Sequence, residues 1–260
     1  MKIRIIVSFI MGVMIGLAAG MIGVGGGEFR IPALTYLMSG PINAIATSNL
    51  LIGFFTVLIS FFLRLSSGLA GETSILYGFY LSIGSILGAY TGAIMTGKVS
   101  ERKLKLLVGI YLAIIGIRFI LEPVIGEVEP NLIFQQGLVP FYLGLFGFLI
   151  GIVSSMFGVA GGEMRIPILI ILFGLGVKIA GTVSLFASIA TVGTGFVKHF
   201  HLGHFEKKYT WITLSMTIGS VLGAFIGTSL AVALPEQHLK MILGIILILA
   251  TIRFAMKNSR

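Results

Sequence analysis

The 260 residues contain no cysteine, so disulfides and thiolate metal chemistry are unavailable and the sequence is silent on redox compartment. Charge is scarce too. Charged residues make up 10% of the chain, whereas a soluble domain carries about a quarter. No H-E-x-x-H occurs, and the central apolar runs hold no histidine, which leaves an intramembrane enzyme without a metal or nucleophile-base constellation.

What the chain does have is apolar length. Hydrophobic residues account for 57% of it and the mean hydropathy is +1.08. The runs 5–27, 31–63, 73–97, 130–162 and 209–235 carry no charge apart from their ends, and each meets or exceeds the ~20 residues a helix needs to cross a bilayer. Runs of that length exclude the roughly ten-residue alternating strands of a membrane barrel. The fold class expected is therefore an all-α polytopic membrane protein. The net charge of +9 fits basic cytoplasmic loops and requires no nucleic acid. Lys2 and Arg4 ahead of an apolar run with Ala18 and Ala19 resemble a signal peptide, but a matching stretch at 143–156 lies mid-chain, so a retained helix is expected.

One phrase occurs twice. Residues 23–34 read G-V-G-G-G-E-F-R-I-P-A-L, and 135 positions on, at 158–169, the chain reads G-V-A-G-G-E-M-R-I-P-I-L. The same offset aligns 84–89 (GSILGA) with 219–224 (GSVLGA), and Glu101, Leu104, Lys105, Gly109 and Arg118 with Glu236, Leu239, Lys240, Gly244 and Arg253. The chain divides into two homologous membrane repeats, 1–122 and 138–260, joined by an extracytoplasmic linker at 123–137 that follows Glu122 and carries Glu127 and Glu129. Each repeat reads as a broken first helix, a short apolar leg (31–38; 166–173) and three longer helices. If the leg returns the chain to its starting side, each repeat makes an odd number of passes and the two are inverted. Both termini and the cluster Lys98, Arg102, Lys103, Lys105 then fall on the cytoplasmic side with Lys198, Lys207, Lys208, Lys257 and Arg260, while Arg64 and Lys240 lie opposite.

The repeated phrase suits a helix break at a binding site. Gly25, Gly26 and Gly27, matched by Ala160, Gly161 and Gly162, permit backbone that side chains forbid and expose N–H groups. Pro32 and Pro167 are expected in the first turn of the short legs. Irregular backbone inside a membrane is tolerated where it is buried in protein or lines a cavity, so the two phrases should meet across a pseudo-twofold axis and form an anion site. Glu28 with Arg30 and Glu163 with Arg165 recur inside charge-poor stretches, where each charge costs about 2.5 to 3.5 kcal/mol. They read either as ion pairs locking the break or as participants, the arginines holding an anion and the glutamates exchanging a proton. Thr47, Ser48 and Asn49, and Thr182 and Ser184 in the second repeat, read equally as helix caps and as site-lining groups. His199, His201 and His204 match Arg64, Ser66 and Leu69, and are expected in a solvated loop. Gly84, Gly88 and Gly92, matched by Gly219, Gly223 and Gly227, predict close helix packing.

The double glycine-proline phrase, with Ala46-Thr47-Ser48 and Gly181-Thr182-Val183-Ser184 downstream, resembles the TauE/SafE sulfite exporter family over nearly the whole chain. That resemblance implies an inner-membrane transporter, multi-pass, moving sulfite, sulfoacetate or related organosulfonates, plausibly on the proton gradient, with the glycines and hydroxyls holding the anion. A passive anion channel and an uptake permease are the alternatives. No cofactor or metal is implied. The expected partners are the bilayer and a small anion, and a homo-oligomer is compatible with the sequence.

Overall fold

The computed structural model describes residues 2–96, 101–126 and 136–256. The basic clusters expected at 98–105 and at the C-terminus, and most of the linker, lie outside the residues or side chains so described.

The first repeat comprises α1 (Lys2–Ile22), α2 (Gly27–Met38), α3 (Ile42–Ser66), α4 (Glu72–Met95) and α5 (Glu101–Ile125); the second comprises α6 (Val139–Phe157), α7 (Gly162–Phe173), α8 (Val177–His201), α9 (Thr210–Ala233) and α10 (Glu236–Met256). No strand is formed among the described residues. Seven helices there are long and apolar enough to cross a membrane. At a rise of 1.5 Å per residue, the 12 residues of α2 and of α7 extend about 18 Å, well short of a bilayer core. α2 doubles back along α1, since the Arg4 guanidinium at the start of α1 donates to the Leu37 carbonyl at the end of α2 (3.2 Å). The short leg thus returns the chain to the side from which α1 set out.

Packing follows the repeat. α1 lies against α9 and α6 against α4, each pair crossing between repeats. Gly12, Gly16 and Gly20 abut Met216, Ser220 and Ala224, which makes α1 and α9 parallel. Gly84, Gly88 and Gly92 press on the backbone of Gly144, Phe148 and Ile152, and Gly219, Gly223 and Gly227 on Phe9, Val13 and Leu17. The predicted glycine faces are helix contacts, where small residues let backbones approach. Repeat-equivalent helices run antiparallel: α3 and α8 meet at Gly53 with Val192 and at Phe61 with Phe186, and α5 and α10 meet at Gly109 with Thr251 and at Glu122 with Lys240. Leucine and isoleucine side chains on the outer faces of α4, α5 and α9 stay exposed, as a lipid-facing surface requires.

Candidate functional site

The two phrases meet. After α1 the chain turns through Gly23, Gly25 and Gly26 at φ 95°, 86° and 69°; after α6 it turns through Gly158 and Gly161 at φ 69° and 78°. These positive angles are closed to most side chains, which is what the glycines supply. A Cβ placed on Gly25 would stand 2.6 Å from the Ala160 Cβ, and one on Gly162 would stand 2.6 Å from the Val24 Cα. The crossing is tied from both sides. The Asn49 amide donates to the carbonyls of Gly27 (3.1 Å) and Gly158 (2.7 Å), and its repeat equivalent Ser184 donates to the Gly23 carbonyl (3.3 Å).

Four expectations change. α2 and α7 start at Gly27 and Gly162, so Pro32 and Pro167 fall in the second turn rather than the first. There the missing N–H deprives the carbonyls of Glu28 and Glu163 of their helical donors. The Glu–Arg ion pairs do not form among the described residues; instead the buried carboxyl groups of Glu28 and Glu163 approach each other across the crossing. A spacing of two along a helix points the acid and the base to different faces, which sends the carboxyls to the axis and the arginines away from it. The capping reading also fails: the N-cap residues of α3 and α8 are Pro41 and Gly176, and the Val177 N–H that opens α8 donates to the Glu236 carboxylate (3.3 Å). Thr47 and Thr182 instead donate to carbonyls one turn back, at Asn43 (2.7 Å) and Lys178 (3.0 Å), and Ser48 is buried nearby. Finally, His199 is fully buried in the last turn of α8, with its Nδ1 2.9 Å from the Nδ1 of His204, rather than lying in a solvated loop.

Glu28 and Glu163 are 1% and 2% exposed, and the Glu28 Oε1 and Glu163 Oε2 have no hydrogen-bond partner. The crossing thus brings two buried carboxyl groups, one from each repeat, into one place.

The arginines differ. Arg165 donates through Nη1 to the Ala160 carbonyl (2.6 Å) and Ser188 Oγ (2.9 Å), and through Nη2 to Ser85 Oγ (3.3 Å) and the Thr191 hydroxyl. Arg30, equally buried, donates from Nε to Asn49 Oδ1 (2.9 Å), while both its Nη1 and Nη2 lack a partner.

Sequence reasoning missed Arg64, assigning it to an outer loop. It is 1% exposed and donates to the Gly20 (3.1 Å) and Met21 (2.8 Å) carbonyls closing α1, and to the Lys178 carbonyl (2.9 Å) opening α8. A cation on the last carbonyls of a helix satisfies them and complements its dipole. Its place at the end of an apolar run, at the offset where the other repeat has His199, was the available signal.

A family model described as sulfite exporter TauE/SafE matches residues 1–119 and 135–260. The probable membrane transporter protein YunE of Bacillus subtilis is 27% identical over 271 residues, covering 93% of this chain and 95% of that protein. The probable membrane transporter protein YfcA of Escherichia coli K12 is 29% identical, covering 85% and 79% respectively. A probable membrane transporter protein of Methanocaldococcus jannaschii is 25% identical, covering 92% and 90%. No solved structure matches.

Proposed function

Because the chain belongs to the TauE/SafE sulfite exporter family, we propose that it is a proton-coupled secondary transporter of small sulfur-containing anions such as sulfite or organosulfonates, exporting them across the cytoplasmic membrane. The observation that carries the coupling is the approach of the buried Glu28 and Glu163 carboxyls at the crossing of the two repeats, where one shared proton relieves the repulsion of two carboxylates. Moving one proton on or off this dyad changes the local charge by one, and in a low-dielectric site that change acts strongly on a nearby anion. The anion is held beside the crossing, with buried guanidinium nitrogen as its countercharge and helix N-termini offering further N–H groups.

The two repeats are inverted, with both termini cytoplasmic. The antiparallel packing of α3 with α8 and of α5 with α10 supports inversion, and Lys207 and Lys208 opening α9 on the side of Lys2 and Arg4 support the orientation. A site at the interface of inverted repeats is exposed alternately as one bundle rocks against the other. The tight contact of Gly25 with Ala160 and of Val24 with Gly162 supports a carrier over an open anion channel.

Reconstitution tests the proposal. Purified protein in liposomes moves labelled sulfite saturably, the flux responds to an imposed pH gradient, and unlabelled sulfite competes where chloride and phosphate do not. Glu28→Gln and Glu163→Gln each abolish the response to the pH gradient. Sulfite flux that ignores the pH gradient in the parent protein rejects coupling; inertness toward every sulfur oxyanion rejects the transport reading.

A further inference from the structure

The transport reading leaves open which buried groups hold the anion. We propose that the anion is held in one repeat only, by the unpartnered guanidinium fork of Arg30 beside Gly53, and that Gly53 is what leaves that fork free for it. Three observations converge. Arg30 is fully buried, yet Nη1 and Nη2 have no partner. Gly53 is the repeat equivalent of Ser188, whose hydroxyl accepts from Arg165; at Gly53 no such hydroxyl exists, and a Cβ built there would meet Arg30 Nη2 at 3.1 Å and Val192 at 3.8 Å. Ser220, the equivalent of the Ser85 that accepts from Arg165 Nη2, has a buried hydroxyl with no partner.

The cage that engages both Nη nitrogens of Arg165 is thus dismantled around Arg30, partly by sequence and partly by geometry. Two bare N–H-bearing nitrogens in a planar fork match the spacing of two oxygens on sulfite or on a sulfonate, and a serine hydroxyl can donate to a third. A buried guanidinium left unsatisfied is costly, and an oxyanion is the partner chemistry it lacks. Arg165, with both Nη nitrogens engaged by Ala160, Ser188, Ser85 and Thr191, holds the backbone of the second repeat and takes no part in binding. The assignment rests on the transport reading above and narrows it to a single site.

Direct binding to the full chain in lipid nanodiscs tests it, with sulfite, methanesulfonate and chloride as probes, read by calorimetry alongside the thermal unfolding of each variant. Gly53→Ser restores the missing hydroxyl and weakens sulfite binding at least about tenfold, the scale of one charged hydrogen bond, while unfolding stays at or above the parent temperature. Arg30→Gln abolishes binding. Ser188→Gly leaves sulfite affinity within about threefold, since Arg165 does not touch the anion. A Gly53→Ser protein that binds sulfite like the parent overturns the assignment while leaving transport standing, as does Ser188→Gly losing as much affinity as Gly53→Ser. A parent protein that neither binds nor moves any sulfur anion overturns the transport reading, and this assignment with it.

Discussion

Arg30 and Arg165 stand at the same place in two copies of one phrase; the Nη nitrogens of one are bare and those of the other each meet acceptors. Arg64 and His199 show the same divergence, the first bonding three backbone carbonyls and the second facing only another histidine among its ring-nitrogen contacts. Duplication supplied two equal scaffolds. Single-residue differences, Gly53 for Ser188 and His199 for Arg64, then gave the halves different work while the glycine contacts between helices stayed paired.

Seven substitutions probe that contrast, measured as unfolding free energies in detergent. The largest difference is expected between the two motif arginines. Arg165→Met strands the Ala160 carbonyl and three hydroxyl partners and costs about 3 kcal/mol or more, whereas Arg30→Met removes an already unsatisfied fork and stays within about 1 kcal/mol of the parent. Equal losses at the two positions break the comparison. Next come the faithful duplicates: Gly84→Val and Gly219→Val both drive a side chain into the facing backbone and each costs about 1–3 kcal/mol, a match that sharpens the contrast elsewhere. Arg64→Gln uncovers the carbonyls at the end of α1 and costs about 2 kcal/mol; His199→Gln costs less than about 1 kcal/mol. The smallest effect belongs to Lys240→Met, which breaks the 2.8 Å bridge to Glu122 at the rim of a cavity of about 170 Å³ between α5 and α10. With Glu122 buried and Lys240 partly exposed at the cavity rim, losing the pair costs about 1 kcal/mol.

Much of this architecture was legible in the sequence because it is written in periodicity and repetition. The ungapped offset revealed the two halves, the glycine-proline phrase marked the helix breaks, and Gly84, Gly88 and Gly92 foretold a packing face that the structure fills with α6. The partners of the charged groups were not legible. Glu28 and Arg30 look like an ion pair on paper; the helix begins early enough to aim them apart, and the carboxyl finds its own copy from the other repeat. Local spacing says nothing of a contact made across 135 residues. Asn49 gave a similarly mixed signal: its amide is spent binding the two phrases together, so its visible polarity serves the crossing. Thr47 and Thr182 carry hydroxyls that their own helices absorb.

The account depends most on the meeting of Glu28 and Glu163 over one shared proton. Infrared spectroscopy of the purified protein in lipid at neutral pH reads this directly, because a protonated carboxyl has a carbonyl stretch that a carboxylate lacks. The account predicts a protonated-carboxyl band in the parent that disappears or shifts in Glu28→Gln and, by the same amount, in Glu163→Gln. A spectrum with no such band, or a band indifferent to one of the two substitutions, would contradict it.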